Sequence, residues 1–200
     1  MNAAVERLKE KFAAAILEVA EYRAETSVTL KKEVVVPVCA FMKQELGYNL
    51  LTDLCGVDFL GRHPRFMVVY HLYNLQTKER LRLKVPVAES DPRVETVSGV
   101  WRTANWHERE CWDLLGIAFT NHPDLRRILM PEDWEGHPLR KDYPLQGPDR
   151  KPYQGRVGMT NAEDARLPQG APAAAPLTKD SPLTTPAGIG AGAPAAPKAG

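Results

Sequence analysis

Three cysteines in 200 residues, Cys39, Cys55 and Cys111, stand far apart and form no C-x-x-C pair. That spacing excludes a zinc ribbon or an iron–sulfur cluster assembled from this chain alone, and the three read as buried reduced thiols. No apolar run approaches the roughly 20 residues that a membrane-spanning helix needs. The opening Met1-Asn-Ala-Ala-Val-Glu-Arg-Leu-Lys-Glu10 has no secretory pattern, so a cytoplasmic chain is expected. G-x-G-x-x-G, Walker A and G-x-S-x-G motifs are all absent, and no nucleophile–base pair can be placed, which argues against an enzyme acting alone. A formal charge of +1 is too balanced for the basic face of a nucleic-acid binder. With 44% hydrophobic content, the length fits one soluble domain plus extras.

Periodicity orders the first two thirds of the chain. Val5, Leu8, Phe12, Ala15, Ile16, Val19 and Tyr22 recur at helical spacing and predict an amphipathic first helix. Thr26–Leu30 and Glu33–Val36 read as strands joined tightly at Lys31-Lys32, and a short helix over Val38–Leu46 ends at Gly47. Tyr48–Leu54 is a candidate strand, with helix left open. Phe66–Tyr73 and Leu81–Val87 are clearer strands; the first suits a central position, and Asn74–Arg80 joins them as a hairpin loop. From Val94 the period is helical again, through Val97, Val100 or Trp101, Ala104, Cys111, Leu115 and Ala118, with Asn105 a candidate cap for a second helix. The expected fold is α+β: a mixed β-sheet with helices packed on one side, followed by an irregular extended C-terminal segment.

The densest chemistry lies in Trp106-His-Glu-Arg-Glu-Cys-Trp-Asp-Leu-Leu-Gly116, followed by His122-Pro-Asp-Leu-Arg-Arg-Ile-Leu129. A helix that only closed a core would separate its charges from its apolar residues more cleanly. Next comes Pro131-Glu-Asp-Trp-Glu-Gly-His-Pro-Leu-Arg-Lys-Asp-Tyr-Pro144, too broken for a helix and too aromatic for a spacer. Glu108 falls on the apolar stripe, where an unpartnered carboxylate costs several kcal/mol. Two readings compete for the charges. In the first, Glu108, Arg109, Glu110 and Asp113 form a solvated face with an Arg109–Asp113 pair. In the second, which is favoured, Glu108 or Glu110 holds Arg126 or Arg127 and pins the following loop to the helix.

His107, Glu108 and Cys111 superficially suit a zinc hydrolase, but no third ligand is evident. His63, His122 and His137 each precede a proline and read as loop punctuation. Trp134, Arg140 and Tyr143 are the residue types that anchor interfaces.

Glu108-Arg-Glu110, Asp113-Leu-Leu115, His122, Arg126, Ile128-Leu129 and Gly136–Pro144 together resemble the signature region of the C subunit of respiratory complex I, the proton-pumping NADH:quinone oxidoreductase. Leu51–Asp58 and Asp91–Val94 are weaker echoes. The resemblance implies a core subunit of the peripheral arm that contributes to the oxidoreductase without catalytic residues of its own. It implies no cofactor or metal on this chain, with FMN, iron–sulfur clusters and quinone bound by other subunits. It further implies the quinone-site subunit as partner beside other arm subunits, no nucleic acid, and a peripheral place on the cytoplasmic side of the inner membrane. Glu108, Arg109, Glu110, Asp113, His122, Arg126, Arg127, Trp134, His137, Arg140 and Tyr143 become the structural or interface residues. Homologous subunits of a membrane-bound hydrogenase or a photosynthetic-type quinone reductase are the alternatives. The expected organisation is a core over 1–120, a partner-binding segment over 121–157 and an Ala/Pro/Gly-rich tail over 158–200, read as disordered.

Overall fold

A computed structural model describes residues 3–23 and 25–145, so the expected tail at 158–200 and the last part of the partner-binding segment lie outside the described residues. The chain runs α1 (Ala3–Phe12), β1 (Ile16–Tyr22), β2 (Glu25–Leu30), α2 (Val35–Gln44), β3 (Leu50–Asp58), β4 (Phe66–Tyr73), β5 (Arg80–Val87), β6 (Arg93–Glu95), α3 (Ala104–Leu115) and β7 (Ala118–Thr120). Five strands form a sheet in the order β1-β2-β5-β4-β3, mixed because β2 and β5 run parallel while the other neighbours are antiparallel. Strands β6 and β7 make a separate parallel pair. The expected α+β class with a mixed sheet is the one observed.

One face of the sheet carries the core. Phe66, Val68, Tyr70 and Leu72 of β4 and Leu81, Leu83, Val85 and Val87 of β5 alternate inward, against Val5 and Leu8 of α1, Val38 and Met42 of α2, and Cys111 and Leu115 of α3. The period-2 pattern makes this face, since successive strand side chains point to opposite sides. Gly56 of β3 lets α3 settle onto the sheet: a Cβ there would overlap Leu115 Cδ1 and crowd Ile117 Cδ1.

Three sequence expectations fail. The first helix stops at Phe12, and Ile16–Tyr22 is a strand instead. Ile, Val and Tyr fit either period, and six register pairs with β2 supply ladder bonds that outweigh local helical preference. Exposed Glu18 and Glu21 then lie on an edge strand, where charge discourages pairing with another chain. Glu33–Val36 is no strand; a 3₁₀ turn at Lys32–Val34 leads into α2, which begins at Val35. Pro37 sits in the first helical turn, where its missing N–H would have no intrahelical partner anyway. The helical period expected from Val94 begins only at Ala104, because 93–95 pairs with β7. Gly47 does cap α2, at φ +74°, with Tyr48 N–H returning to Met42 O at 3.0 Å.

Candidate interface segment

Residues 121–143 contain no helix or strand, yet they are fastened to α3 through two of its charged side chains. Asp113 is fully buried, and its Oδ2 accepts N–H bonds from Ile128 (3.0 Å), Leu129 (2.8 Å) and Met130 (2.8 Å). Its Oδ1 takes Arg127 Nη1 at 2.6 Å. Burial pushes this carboxyl's pKa upward, but the three N–H donors and the guanidinium outweigh it and hold it below the usual carboxylate range. Arg109 works in the opposite sense, donating Nε to Arg126 O (3.1 Å) and Nη2 to Arg127 O (3.0 Å). Donor and acceptor on one helix thus hold both sides of the same loop backbone.

Arg127 also donates Nη2 to the carbonyls of Trp134 (2.6 Å) and Gly136 (3.2 Å), which folds the second half of the segment back. The end of α3 closes the arrangement. His137 Nδ1 lies 2.9 Å from Asp113 O, Leu139 N–H donates to Leu114 O at 3.0 Å, and Arg140 Nε donates to Leu115 O at 2.6 Å. A carbonyl can only accept, so His137 carries its hydrogen on Nδ1. Burial lowers the His137 pKa. These three carbonyls belong to the last turn, which has no helical donors of its own, and a cation at that end complements the helix dipole. Gly116, at φ +75°, leaves the room: a Cβ there would come 2.5 Å from both Arg140 Nη2 and His137 Cδ2.

The expected pairing of Glu108 or Glu110 with Arg126 or Arg127 does not occur. Glu110 is exposed, and Arg126 pairs with its neighbour Asp124 at 2.9 Å. Glu108 is buried but turns the other way, contacting the Thr96 hydroxyl and accepting Val97 N–H at 2.8 Å. Burial raises its pKa to about 7, against the opposing pull of those two bonds. The pinning role falls to Arg109 and Asp113, the residues of the solvated-face reading, which do not pair with each other. Neither carboxylate position nor spacing separates an inward Asp113 from an outward Glu110. Register with the loop does, and the loop has no period.

Two of the three His-Pro steps are more than punctuation. His122 Nε2 lies 3.1 Å from Asn105 O, and His122 Nδ1 accepts Asp124 N–H at 3.0 Å, so His122, like His137, ties the loop to α3. Among the described residues, His107, Glu108 and Cys111 form no ligand cluster; Cys111 Sγ faces Leu54 O instead. Trp134 and Tyr143 are half-buried within the segment.

A second hub escaped sequence reading. Arg65, 3% exposed, binds Asp58 through Nε and Nη2 (both 2.9 Å), Glu89 at 2.5 Å and Asp142 at 2.8 Å. Asp58 Oδ2 also accepts Lys141 N–H at 2.8 Å. The Arg65 bonds hold the carboxyls of Asp58 and Asp142 below their usual pKa range. The far end of the segment is therefore tied to the sheet at β3 and just before β4. Lys141-Asp142 was visible as part of the signature, but nothing local links it to residues so much earlier in the chain.

Three large apolar side chains are exposed in this region, among charged ones such as Glu110, Arg126, Glu132 and Lys141. Trp106 is 61%, Leu129 56% and Leu139 58% exposed, and Arg109 stacks 5.1 Å from the Trp106 ring.

Residues 28–149 match the family model of the respiratory-chain NADH dehydrogenase 30 kDa subunit. The NADH-quinone oxidoreductase C subunit of Geotalea uraniireducens (strain Rf4) is 62% identical over 156 residues, covering 78% of this chain and 95% of the relative. The protein of the same name from Geobacter sulfurreducens is 62% identical over 157 residues, covering 78% and 97%. Among solved structures, the trypsin-resistant fragment (1–134) of Nqo5 is 37% identical with a TM-score of 0.55, covering 61% of this chain and 99% of the fragment. A chain of the archaeal membrane-bound sulfane sulfur reductase is 22% identical with a TM-score of 0.62, covering 70% and 84%, a likeness of fold alone.

Proposed function

The chain belongs to the 30 kDa subunit family of respiratory-chain NADH dehydrogenase, whose relatives are named as the C subunit of NADH-quinone oxidoreductase, and from this we propose that it is a non-redox scaffold of the peripheral arm. It holds the quinone-site subunit and the cluster-bearing subunits in register, so that electrons pass from NADH to quinone in step with proton translocation. FMN, iron–sulfur clusters and quinone belong to those neighbours; Cys39, Cys55 and Cys111 are free of disulfides and too scattered to hold a cluster. No described helix is long and apolar enough to cross a membrane, and the chain meets the cytoplasmic face of the inner membrane through its complex.

The observation that carries this reading is that a firmly held irregular segment and the helix beneath it leave three large apolar side chains exposed. Asp113, Arg109 and Arg127 satisfy the loop from within, while Trp106, Leu129 and Leu139 point outward. Preorganising a loop before it binds reduces the ordering entropy that association must overcome. Of the anchors expected from sequence, Arg140 secures the segment and Trp134 and Tyr143 are half-buried within it; the partner contact falls instead to Trp106, Leu129 and Leu139, which were not among them. The names carried by the relatives favour the NADH-linked assembly over the hydrogenase and photosynthetic-type alternatives.

The test is Trp106→Ala and Leu139→Ala, measured both for unfolding of the free chain and for incorporation into the membrane complex. Exposed positions should shift folding by no more than about 0.5 kcal/mol. A central anchor should weaken association by about 2 kcal/mol, roughly thirtyfold. Normal incorporation of both variants would move the interface off this surface.

A further inference from the structure

The sheet face turned away from the helices holds a constellation that the scaffold role does not use. Asp53 and Cys55 lie two residues apart on β3, and His71 is the register partner of Asp53 on β4. Their ligating atoms all fall within 4.8 Å of one another, and among the described residues this is the one group of three or more His, Cys and acidic side chains so close. His107, projecting from α3, brings Nδ1 to 3.7 Å from Asp53 Oδ1. Asp53 and His71 line a cleft of about 470 Å³. Solvent and ions therefore reach them.

We propose that Asp53, Cys55 and His71 form a binding site for a borderline-soft divalent cation, zinc first, with His107 as fourth ligand or as the group that orients Asp53.

Donor chemistry selects the ion. Thiolate, imidazole and carboxylate together suit Zn²⁺, whereas Mg²⁺ and Ca²⁺ take oxygen ligands. Tetrahedral zinc with bonds of about 2.0–2.3 Å places ligand atoms roughly 3.3–3.8 Å apart. The His107–Asp53 separation already meets that spacing. The triad must close by roughly 1 Å, within reach of side-chain rotation.

Charge also balances. One carboxylate and one thiolate neutralise a dication, and a neutral imidazole completes the set without adding charge. Burial, reinforced by Arg82, lowers the His71 pKa and keeps the ring neutral. Arg82 opposes the cation from β5, as the register partner of His71, and Glu25 takes up its charge at 2.5 Å. Burial and Asp53 raise the Cys55 thiol pKa, so binding transfers the thiol proton to solvent as the metal–sulfur bond forms. Zinc carries no redox chemistry. Such a site clamps β3 to β4, and through His107 to α3, without making the chain an electron carrier.

The test uses the full chain, free of any affinity tag, titrated with ZnCl₂ against a competing chelating dye and with CoCl₂ for the thiolate-to-cobalt charge-transfer band. One equivalent should bind. Cys55→Ser should abolish the cobalt band, and Cys55→Ser and His71→Gln should each weaken zinc at least tenfold. His63→Gln, remote from the triad, should leave binding unchanged. If either ligand variant fails to fold, Asp53→Asn at its half-exposed position carries the same tenfold loss of zinc affinity. Absence of saturable one-to-one binding, or an intact cobalt band in Cys55→Ser, overturns the proposal; the second result would transfer the thiolate to another cysteine.

Discussion

Replacing Asp113 with asparagine removes one charge from the centre of the loop clamp and almost no volume. The native carboxylate accepts four hydrogen bonds, three from backbone N–H groups and one from Arg127. Asparagine keeps one acceptor oxygen. Its NH₂ must face either the three N–H groups or the guanidinium, donor against donor in both cases. The less costly rotamer keeps the backbone bonds and turns NH₂ toward Arg127, whose side chain is 13% exposed. Breaking a buried ion pair by removing one partner costs about 3–5 kcal/mol. Arg127 retains carbonyl acceptors at Trp134 and Gly136, which places the expected loss near the lower bound, about 3 kcal/mol. The assay is urea unfolding of the free chain followed by circular dichroism and tryptophan fluorescence, with an unchanged m-value as the check on two-state behaviour. Arg127→Met should cost at least as much, because it strips the buried Asp113 of its countercharge and frees the carbonyls of Trp134 and Gly136 as well. The pH dependence has a fixed sign. A depressed folded-state pKa contributes stability above the unfolded value of about 3.9 and loses it as pH falls through the folded value. The gap between wild type and Asp113→Asn should therefore close in acid. A loss below about 1 kcal/mol at neutral pH would refute the clamp.

Glu108 runs in the opposite direction. Its pKa of about 7 in the fold means that its stabilising effect is complete below the unfolded value of about 4.3 and is lost as pH rises through 7. Glu108→Gln should therefore flatten the pH–stability curve between about pH 4 and 7 and gain on wild type at the alkaline end; parallel curves in thermal denaturation would count against it. Gly116→Ala should cost at least about 2 kcal/mol, from the left-handed backbone and the overlap with Arg140 and His137. Limited proteolysis should then cut within 121–143, and an uncleaved variant would mean that the segment is held elsewhere.

Legibility in the sequence followed period and contact range. β4 was visible to the residue and β5 to within one, because their alternation is strict and their hairpin is local. Ile16–Tyr22 was not, since Ile16, Val19 and Tyr22 satisfy a helical spacing that only pairing with β2 overrules. In the candidate site, the signature residues were found as a group, but their partners were misassigned. Asp113 and Arg109 act on backbone groups of 126–130, and backbone partners leave no trace in residue identity. Arg65 was missed for a related reason. Its carboxylates come from 7, 24 and 77 positions away, and no periodicity or spacing in the sequence brings those three together.

The fastening of 121–143 to α3 also determines how the molecule breathes. Amides in irregular segments ordinarily exchange with solvent quickly, because they open alone. Here the N–H groups of Ile128, Leu129 and Met130 end on a helical carboxylate, and that of Leu139 ends on a helical carbonyl. None of them can open while α3 remains formed and the clamp closed. Helix and segment thus constitute one cooperative unit, and hydrogen exchange should protect these amides at the level of the helix. A binding surface made this way is present or absent as a whole, and a partner that reads it also reads whether the helix beneath is folded.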